Sequence, residues 1–254
     1  MSALAVILAR AGSKGLPGKN TACVGGRPCI AWTIDAAKAS GRVSRVAVSS
    51  DDRRALEIAR SMDADAIDRP GELASDSASV DDAARHAVGS IGWNDGPVVI
   101  LYANVPVRPA GLIDAAVERL AEGFDSVQSY APVGKHHPWW TARLDESGLV
   151  RPWEGEVLNH NVHRRQDLPE AFVPDGGVLA VTLDALMLRV EGVQAGAHAF
   201  FGARRAGIKT GEGEVIDIDN RVDQLVADAV LRERLGLASA AGEHQPTRRW
   251  RRTG

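Results

Sequence analysis

The chain alternates short apolar runs with segments whose apolar residues recur at helical spacing. The apolar runs predict strands over 4–8, 46–48, 64–67, 97–102, 126–130, 178–181 and 215–218. The helically spaced segments predict helices over 28–40, 53–61, 79–88 and 112–121, with two more starting near 183 and 221. Nearly continuous apolar strands are typical of parallel sheets buried on both faces. The expected fold class is therefore α/β, a mostly parallel twisted sheet with helices on both faces.

Three features depart from this alternation. The segment 132–168 is rich in His, Trp, Arg and Pro and has hairpin character around 146–148, so we expect an insertion within one domain that spans 1–236. The last helix is predicted to bury one apolar face, made of Val222, Leu225, Val226, Ala229 and Val230. Residues 237–254 are polar and end Arg-Arg-Trp-Arg-Arg-Thr-Gly, which predicts a disordered basic tail.

Composition narrows the class of protein. The chain has 254 residues, and its net charge of −3 argues against a nucleic-acid partner, so an anion site has to be a local cluster. Two cysteines, Cys23 and Cys29, are too few for a disulfide framework and favour a cytoplasmic protein. The first apolar run falls far short of the ~20 residues that a membrane helix needs, so we expect no membrane partner.

The loop from Ala9 to Asn20 is the strongest functional signal. It follows the first strand and carries three cations, Arg10, Lys14 and Lys19, among three glycines. Glycines allow positive φ and close approach to a ligand, and successive N–H groups with cations suit a triphosphate. Neither the Walker pattern nor the dinucleotide fingerprint fits, since Asn20 follows Lys19 and the glycines are three apart. A plain surface loop is the weaker alternative.

Asp217 and Asp219 lie in the last predicted strand. Alternation along a strand places them on one face, where two carboxylates suit Mg²⁺, with Mn²⁺ as a possible substitute. Such a site takes one or two carboxylates and completes its shell with substrate phosphates. The alternative is that Asp219 or Asn220 caps the following helix, and both roles can coexist.

Two further polar clusters lie within the insertion. Lys135 to Trp140 pairs two histidines with two tryptophans, and His163 to Gln166 holds two arginines. Adjacent histidines without a third ligand argue against zinc. Cations near aromatics suit either a carboxylate-bearing substrate or an oligomer interface, and both remain open. The hydroxyl-rich loop 73–79 could contact a base or ribose, although its spacing alone favours an ordinary loop with a helix cap.

With these residues in view, the chain resembles the acylneuraminate cytidylyltransferase family. The opening loop matches the family signature almost position for position. Further similar stretches follow in the family's order, at 48–52 (VSSDD), 69–79 (RPGELASDSAS), 136–138 (HHP), 165–172 (RQDLPEAF), 174–177 (PDGG) and 216–219 (IDID). The resemblance covers roughly 3–236.

The resemblance implies a fold, a reaction and a set of site residues. The fold is a nucleotide-diphospho-sugar transferase-like sheet with a small dimerisation insertion, which predicts a homodimer. The reaction joins CTP to a 2-keto sugar acid, giving a CMP-sugar and pyrophosphate. The implied catalytic residues are Arg10, Lys14, Lys19, Asp217 and Asp219, the last two binding the metal. The implied nucleotide-binding residues are Ala9, Arg10, Gly12, Ser13, Asn20, Arg69, Ser75, Tyr102 and Asn104. The implied sugar-binding residues are Lys135, His136, Arg165, Gln166 and Asp175.

One stretch departs from the family pattern. Family members usually have Gln-Pro-Thr-Ser-Pro-Leu-Arg after the strand 97–101, whereas Tyr102 replaces the glutamine here and Asn104 replaces the threonine. Another nucleotide, or another sugar acid such as 3-deoxy-octulosonate, is therefore the alternative within the enzyme class. A non-catalytic nucleotide-sugar-binding homologue is the alternative outside it, and retention of the loop cations with both aspartates argues against that.

Overall fold

The computed structural model describes residues 2–237, and the predicted basic tail lies almost wholly outside that part of the chain. The strands are β1 (Ala3–Ala9), β2 (Cys23–Val24), β3 (Arg27–Pro28), β4 (Val43–Ser50), β5 (Asp65–Asp68), β6 (Val98–Tyr102), β7 (Ser126–Pro132), β8 (Ala142–Leu144), β9 (Val150–Pro152), β10 (Phe172–Val181) and β11 (Arg205–Lys209). The helices are α1 (Cys29–Lys38), α2 (Arg53–Ser61), α3 (Val80–Ile91), α4 (Leu112–Leu120), α5 (Leu183–Leu186) and α6 (Arg221–Arg234).

Seven strands form one sheet in the order β11-β7-β10-β6-β1-β4-β5. Only β10 runs antiparallel to its neighbours, β6 and β7, while the other pairs are parallel. The register aligns Leu8 with Tyr102 and Ala9 with Ser50, so β1, β4 and β6 end together at one edge. The predicted α/β class with a mostly parallel sheet is confirmed.

The two faces of β1 contribute to two separate cores. Ala5 and Ile7 pack with α1, α2 and α4 on one side, whereas Leu4 and Val6 pack with α3 and α5 on the other. All seven residues of the strand are buried. This doubly covered centre explains why the strand appears in the sequence as an unbroken apolar run.

Two predictions about the end of the chain are wrong. The segment 215–218 is not a strand of the sheet, since its only pairing is an isolated antiparallel bridge between Ile216 and Val107. The sheet instead gains β11, which pairs in parallel with β7. Its sequence, RAGIK, alternates exposed and half-buried positions at a sheet edge and carries little of the apolar signal that marks a buried strand.

The predicted inner face of α6 is wrong for four of its five residues: Val230 packs against the third core, but Ala229 is exposed. Val222, Leu225 and Val226 are 67%, 54% and 47% exposed, while Ala227 and Leu231 face inward. These two pack against Val24 and Cys29 in a third, smaller core. The helix therefore buries Ala227 and Leu231 and leaves the stripe of Val222, Leu225 and Val226 exposed to solvent.

The insertion between β7 and β10 consists of short 3₁₀ turns and the β8–β9 hairpin, whose turn closes with Gly148 N–H donating to Asp145 O at 2.9 Å. The hairpin prediction around 146–148 agrees with this turn. Among residues 2–237, no helix is both long and apolar enough to cross a bilayer.

Candidate functional site

The site lies at the edge of the sheet where the parallel strands end. The loop after β1, the ends of β4, β5 and β6, and the first residues of the antiparallel β10 all meet there. In open α/β sheets ligands bind at this carboxyl edge. Because β10 runs the other way, its starting segment, rather than its end, reaches the site.

The loop after β1 is held by its own backbone and by one buried amide. Asn20 is 6% exposed, and its Nδ2 donates to the carbonyl of Arg10 at 2.9 Å, which joins the two ends of the loop. Gly18 has φ +70°, whereas Gly12 and Gly15 do not adopt positive φ, so only one of the three glycines fulfils that expectation. Gly15 is needed for a different reason: a Cβ there would stand 2.4 Å from the carbonyl oxygen of Asp219.

A cavity of about 370 Å³ opens beside this loop. It brings together nine of the sequence-predicted site residues, namely Arg10, Ser13, Lys19, Asn20, Arg69, Ser75, Tyr102, Asn104 and Asp217. Ala9 and Gly12 are not part of its lining; Ala9 is fully buried, and its carbonyl accepts a hydrogen bond from the Ser50 hydroxyl. The ends of three strands, β1, β5 and β6, therefore contribute polar groups to one concave space.

Lys19 and Asp219 form a close ion pair at this edge. Lys19 Nζ lies 2.6 Å from Asp219 Oδ1, and the Lys19 side chain is only 14% exposed while that of Asp219 is 71% exposed. The pair connects the loop after β1 to the segment ahead of α6, 200 residues later in the chain. Asp219 Oδ1 is thus already neutralised by a cation on the floor of the site.

Asp217 is held by Asn104 and lacks a comparable cation. Asn104 Nδ2 donates to Asp217 Oδ1 and to the carbonyl of Ile218, and it is 8% exposed. Burial of the carboxyl group raises the pKa of Asp217 to about 6, with the negative charge of Asp219 adding to the effect and Lys19 opposing it. Burial raises the pKa of Tyr102, and the negative charge of Asp217 adds to the rise.

Asp217 and Asp219 offer oxygen donors for only part of the coordination shell of a cation. Within residues 2–237 no group of three or more His, Cys, Asp or Glu side chains is arranged to hold a metal. The donors present are hard oxygens, and the raised pKa of Asp217 marks negative charge that the surrounding side chains leave uncompensated. This donor set fits Mg²⁺, which accepts one or two carboxylates and takes its remaining ligands from phosphate and water.

Arg69 lies deeper, at the end of β5. Its Nε donates to Ser49 Oγ at 3.0 Å, its Nη2 donates to Ser49 O, and it is 5% exposed. Burial lowers its pKa, although the side chain stays a cation. A buried guanidinium fixed to β4 supplies positive potential to the cavity without needing to move.

The residues predicted for the sugar are not gathered in the same cavity. Arg165 lines a second one of about 320 Å³, together with His137, Lys209 and Thr210. There Arg165 pairs with Glu212 at 3.1 Å.

The other four sugar predictions divide into two kinds. Asp175 has both carboxylate oxygens engaged, by Ser129 Oγ and Thr210 Oγ1 at 2.5 Å each. Lys135, His136 and Gln166 are exposed and line neither cavity. Of the paired histidines, His137 is the buried one: its Nδ1 accepts from the backbone N–H of Trp139, and its Nε2 lies 3.1 Å from Pro169 O. Its position is that of a structural residue within the insertion.

Three acidic residues at the edge were not singled out from the sequence. Asp76 pairs with both Arg10 and Lys14. Asp51 Oδ1 accepts from the backbone N–H of Ala11 at 2.8 Å. Asp223 accepts from the backbone N–H groups of Asp219 and Asn220 at 2.9 and 3.0 Å, completing a capping box at the start of α6. The last was findable, since an Asn followed three residues later by an acidic residue is a capping-box pattern.

Comparison with known proteins agrees with this geometry. The profile of the cytidylyltransferase family matches residues 4–159. An N-acylneuraminate cytidylyltransferase of Streptococcus agalactiae is 28% identical over 243 residues, which are 92% of this chain and 56% of that protein. A CMP-N,N'-diacetyllegionaminic acid synthase of Legionella pneumophila is 36% identical, covering 60% of this chain and 67% of that protein. A pseudaminic acid cytidylyltransferase of Campylobacter jejuni is 30% identical, covering 68% and 75%.

Solved structures show the same fold at low identity. A CMP:2-keto-3-deoxy-manno-octonic acid synthetase complexed with CTP superposes with a TM-score of 0.67 at 15% identity, over 92% of this chain and all of that one. A 4-diphosphocytidyl-2C-methyl-D-erythritol synthase from Anaerococcus prevotii gives 0.58 at 12%, over 91% and 99%. The chain spans about half the length of the N-acylneuraminate cytidylyltransferase of S. agalactiae. With the family profile matched over more than half of its residues, the chain belongs to the cytidylyltransferase family.

Proposed function

We propose that the protein transfers the cytidylyl group of CTP to a nonulosonic acid, a 2-keto sugar acid, releasing pyrophosphate. The observation that carries this proposal is the meeting of Lys19 and Asp217 in one cavity with Arg10 and Arg69, and the ion pair that holds Asp219 beside Lys19. A cavity that collects cations and a carboxylate pair suits a triphosphate and its cation, whereas a neutral sugar alone needs neither. The names of the relatives narrow the sugar to the sialic, legionaminic and pseudaminic acid class.

In this proposal the sugar's anomeric hydroxyl attacks the α-phosphorus in line with the departing pyrophosphate. Arg10, Lys14 and Lys19 hold the phosphates, and Ser13 and Asn20 fix the loop that carries these cations. Most of the rate gain comes from positioning and from neutralising the charge that grows on the phosphorus centre and the leaving group. Ser75, Tyr102 and Asn104 form the walls that meet the ribose and base.

Asp217 and Asp219 would hold Mg²⁺, which when bound supplies charge neutralisation and orientation of the phosphates. Asn104 keeps Asp217 oriented toward the cavity through its amide N–H. Lys19 keeps Asp219 in place when no nucleotide is present and is close enough to contribute to a phosphate as well. The fit rests on oxygen donors only, consistent with a hard cation.

Arg165 is the best-placed residue for the sugar carboxylate. Thr210, which lines the cavity of Arg165, donates a hydrogen bond to Asp175. The neighbouring Gly176 lies against Tyr102 and Asp217 of the nucleotide cavity, so this segment connects the two cavities. The present partner of Arg165, Glu212, is 75% exposed and therefore weakly held. A bidentate guanidinium–carboxylate contact would replace that pair.

A pyrophosphate-release assay tests the proposed reaction. CTP, ATP, GTP and UTP are each offered with several nonulosonic acids and with 3-deoxy-octulosonate, in the presence of Mg²⁺. The expected result is release with CTP and a nonulosonic acid, and its near-complete loss in Lys19→Ala. Pyrophosphate release with another nucleotide instead of CTP would show that the enzyme uses that nucleotide as its substrate. Release with no pairing, by a protein that still binds CTP, would favour a non-catalytic binding role.

We also propose that the protein is a homodimer joined through its insertion. The β8–β9 hairpin and the residues after it leave many large apolar side chains exposed, among them Leu144 at 70% and Trp153 at 55%. Exposed apolar clusters of this kind mark association surfaces. Sedimentation velocity should give a dimer for the unaltered protein and a monomer for Leu144→Glu. Val222→Glu alters an equally exposed apolar residue outside the insertion and should remain dimeric. A dimeric Leu144→Glu would exclude this surface.

A cytoplasmic location is part of the same proposal. Both cysteines, Cys23 and Cys29, are free thiols, as expected in a reducing compartment.

A further inference from the structure

One carboxylate, that of Asp76, bridges two cations of the loop after β1: Arg10, which lines the nucleotide cavity, and Lys14. Asp76 Oδ1 lies 2.8 Å from Arg10 Nη1, and Asp76 Oδ2 lies 2.6 Å from Lys14 Nζ. Each oxygen thus takes one cation, and these contacts hold the pKa of Asp76 below its usual value, the Lys14 hydrogen bond contributing most. The bridge joins the loop after β1 to the segment ahead of α3, both of which line the cavity.

The contacts of Asp76 are those that a phosphate group would make. Two oxygens on one centre span two cations, which is how phosphates are held by Arg and Lys. Arg10 and Lys14 keep further N–H donors, but the Asp76 charge offsets part of the positive potential that they present to a second anion. An anion that engages both cations therefore competes with Asp76 for them.

The bridge is weak enough to be displaced. The side chains of Arg10, Asp76 and Lys14 are 40%, 50% and 81% exposed, so solvent screens both pairs. Two exposed pairs together amount to about three- to tenfold in an equilibrium constant. A triphosphate or pyrophosphate carries more negative charge than a nucleoside monophosphate, so it gains more from the two cations and is opposed more strongly by Asp76.

We propose that Asp76 competes with polyphosphate ligands for Arg10 and Lys14 and so favours the release of pyrophosphate. It pairs with both cations when no polyphosphate is bound, and it recaptures them when pyrophosphate leaves. Asp76 thereby weakens the binding of CTP and pyrophosphate but not that of CMP. The inference rests on the proposed nucleotidyl transfer, and it adds a residue that favours product release.

Isothermal titration calorimetry with CTP, pyrophosphate and CMP tests the inference on Asp76→Asn. The matched control is Glu72→Gln, which makes the same charge change in the same exposed segment; Glu72 forms no ion pair with any residue between 2 and 237. Asp76→Asn should bind CTP and pyrophosphate about three- to tenfold more tightly and leave CMP within about twofold. Glu72→Gln should leave all three within about twofold, which removes long-range charge as an explanation.

Steady-state kinetics give a second readout. Asp76→Asn should show a lower KM for CTP together with stronger product inhibition by pyrophosphate. Asp76→Ser should show both changes as well. Equal tightening of CMP and CTP, or weaker CTP binding in both variants, would overturn the inference. Failure of the unaltered protein to bind CTP or pyrophosphate would instead refute the proposed function, so the two failures are distinguishable.

Discussion

Replacing Asp217 with asparagine is expected to stabilise the metal-free protein at neutral pH while abolishing its activity. Burial and the neighbouring Asp219 raise the pKa of Asp217 from 3.8 to about 6. At about 1.36 kcal/mol per pKa unit this rise corresponds to about 3 kcal/mol. Neighbouring groups enclose the carboxyl group, but the residue as a whole is exposed in the open cavity, so solvent screening reduces the figure to about 1 kcal/mol. Asparagine removes the charge and retains an oxygen that can accept from Asn104.

The sign follows from linkage. The folded protein binds a proton at Asp217 more tightly than the unfolded chain does, so its stability contribution is fully present below the unfolded pKa. It is lost as the pH rises from about 4 through about 6. The advantage of Asp217→Asn should therefore be largest above that range and disappear near its lower end.

Thermal melts in EDTA at pH 8, 5 and 4 test this. In a domain of this size about 1 kcal/mol shifts the Tm by about 2–4 °C, which is the expected gain at pH 8. The gain should shrink at pH 5 and vanish at pH 4. Asp219→Asn is the control, since Asp219 is paired with Lys19 and its loss leaves that cation without its partner. A pH-independent gain, or a lower Tm for Asp217→Asn at pH 8, would refute the reasoning.

Three further predictions concern the loop and the two cavities. Lys19→Ala should lower kcat by about 10²–10³ while the fold is retained by circular dichroism, and near-normal turnover would exclude its role. Gly15→Ala should cost about 1–3 kcal/mol in urea unfolding because its Cβ meets Asp219 O at 2.4 Å, whereas Gly12→Ala, with open space around it, should be neutral; equal costs would contradict this. Arg165→Ala should raise the KM for the sugar acid about tenfold or more and leave that for CTP unchanged, and a CTP effect would place Arg165 elsewhere.

The sequence predicted best where structure is local. β1 and the glycine-rich loop carry their own signals, an unbroken apolar run followed by cations and glycines, and these pointed to Arg10 and Lys19. Asp217 was named from its predicted strand and the other six cavity residues from the family resemblance. Asp76 could not be found this way, because its pairing with Arg10 spans 66 positions in the chain and depends on two segments that only the sheet brings together. Arg165 shows the same limit: its residue type suited a carboxylate, but its cavity is set by the path of the insertion.

The errors in the last part of the chain have a common cause. Apolar content marked both 215–218 and one stripe of α6 as buried, yet burial there is decided by neighbours far away in sequence. Ile218 is fully buried, but in the third core with Val107 and Leu231 rather than in the sheet. The inner face of α6 is set by that small core, which takes Ala227 and Leu231, with Val230 packed beside them.

The carboxylate pair is nevertheless where the sequence predicted it, for a different physical reason. Ile218 is anchored by two hydrogen bonds to Asn104: its N–H donates to Asn104 O at 2.9 Å, and its carbonyl accepts from Asn104 Nδ2 at 3.2 Å. Asp217 and Asp219 flank this anchored residue. The buried side chain of Ile218 and its hydrogen bonds to Asn104 therefore position the two carboxylates in place of the expected strand pairing. A segment outside the sheet is less constrained than a strand, and its position depends on Asn104. Asn104 therefore contributes to the geometry of the proposed cation site as much as the two carboxylates do.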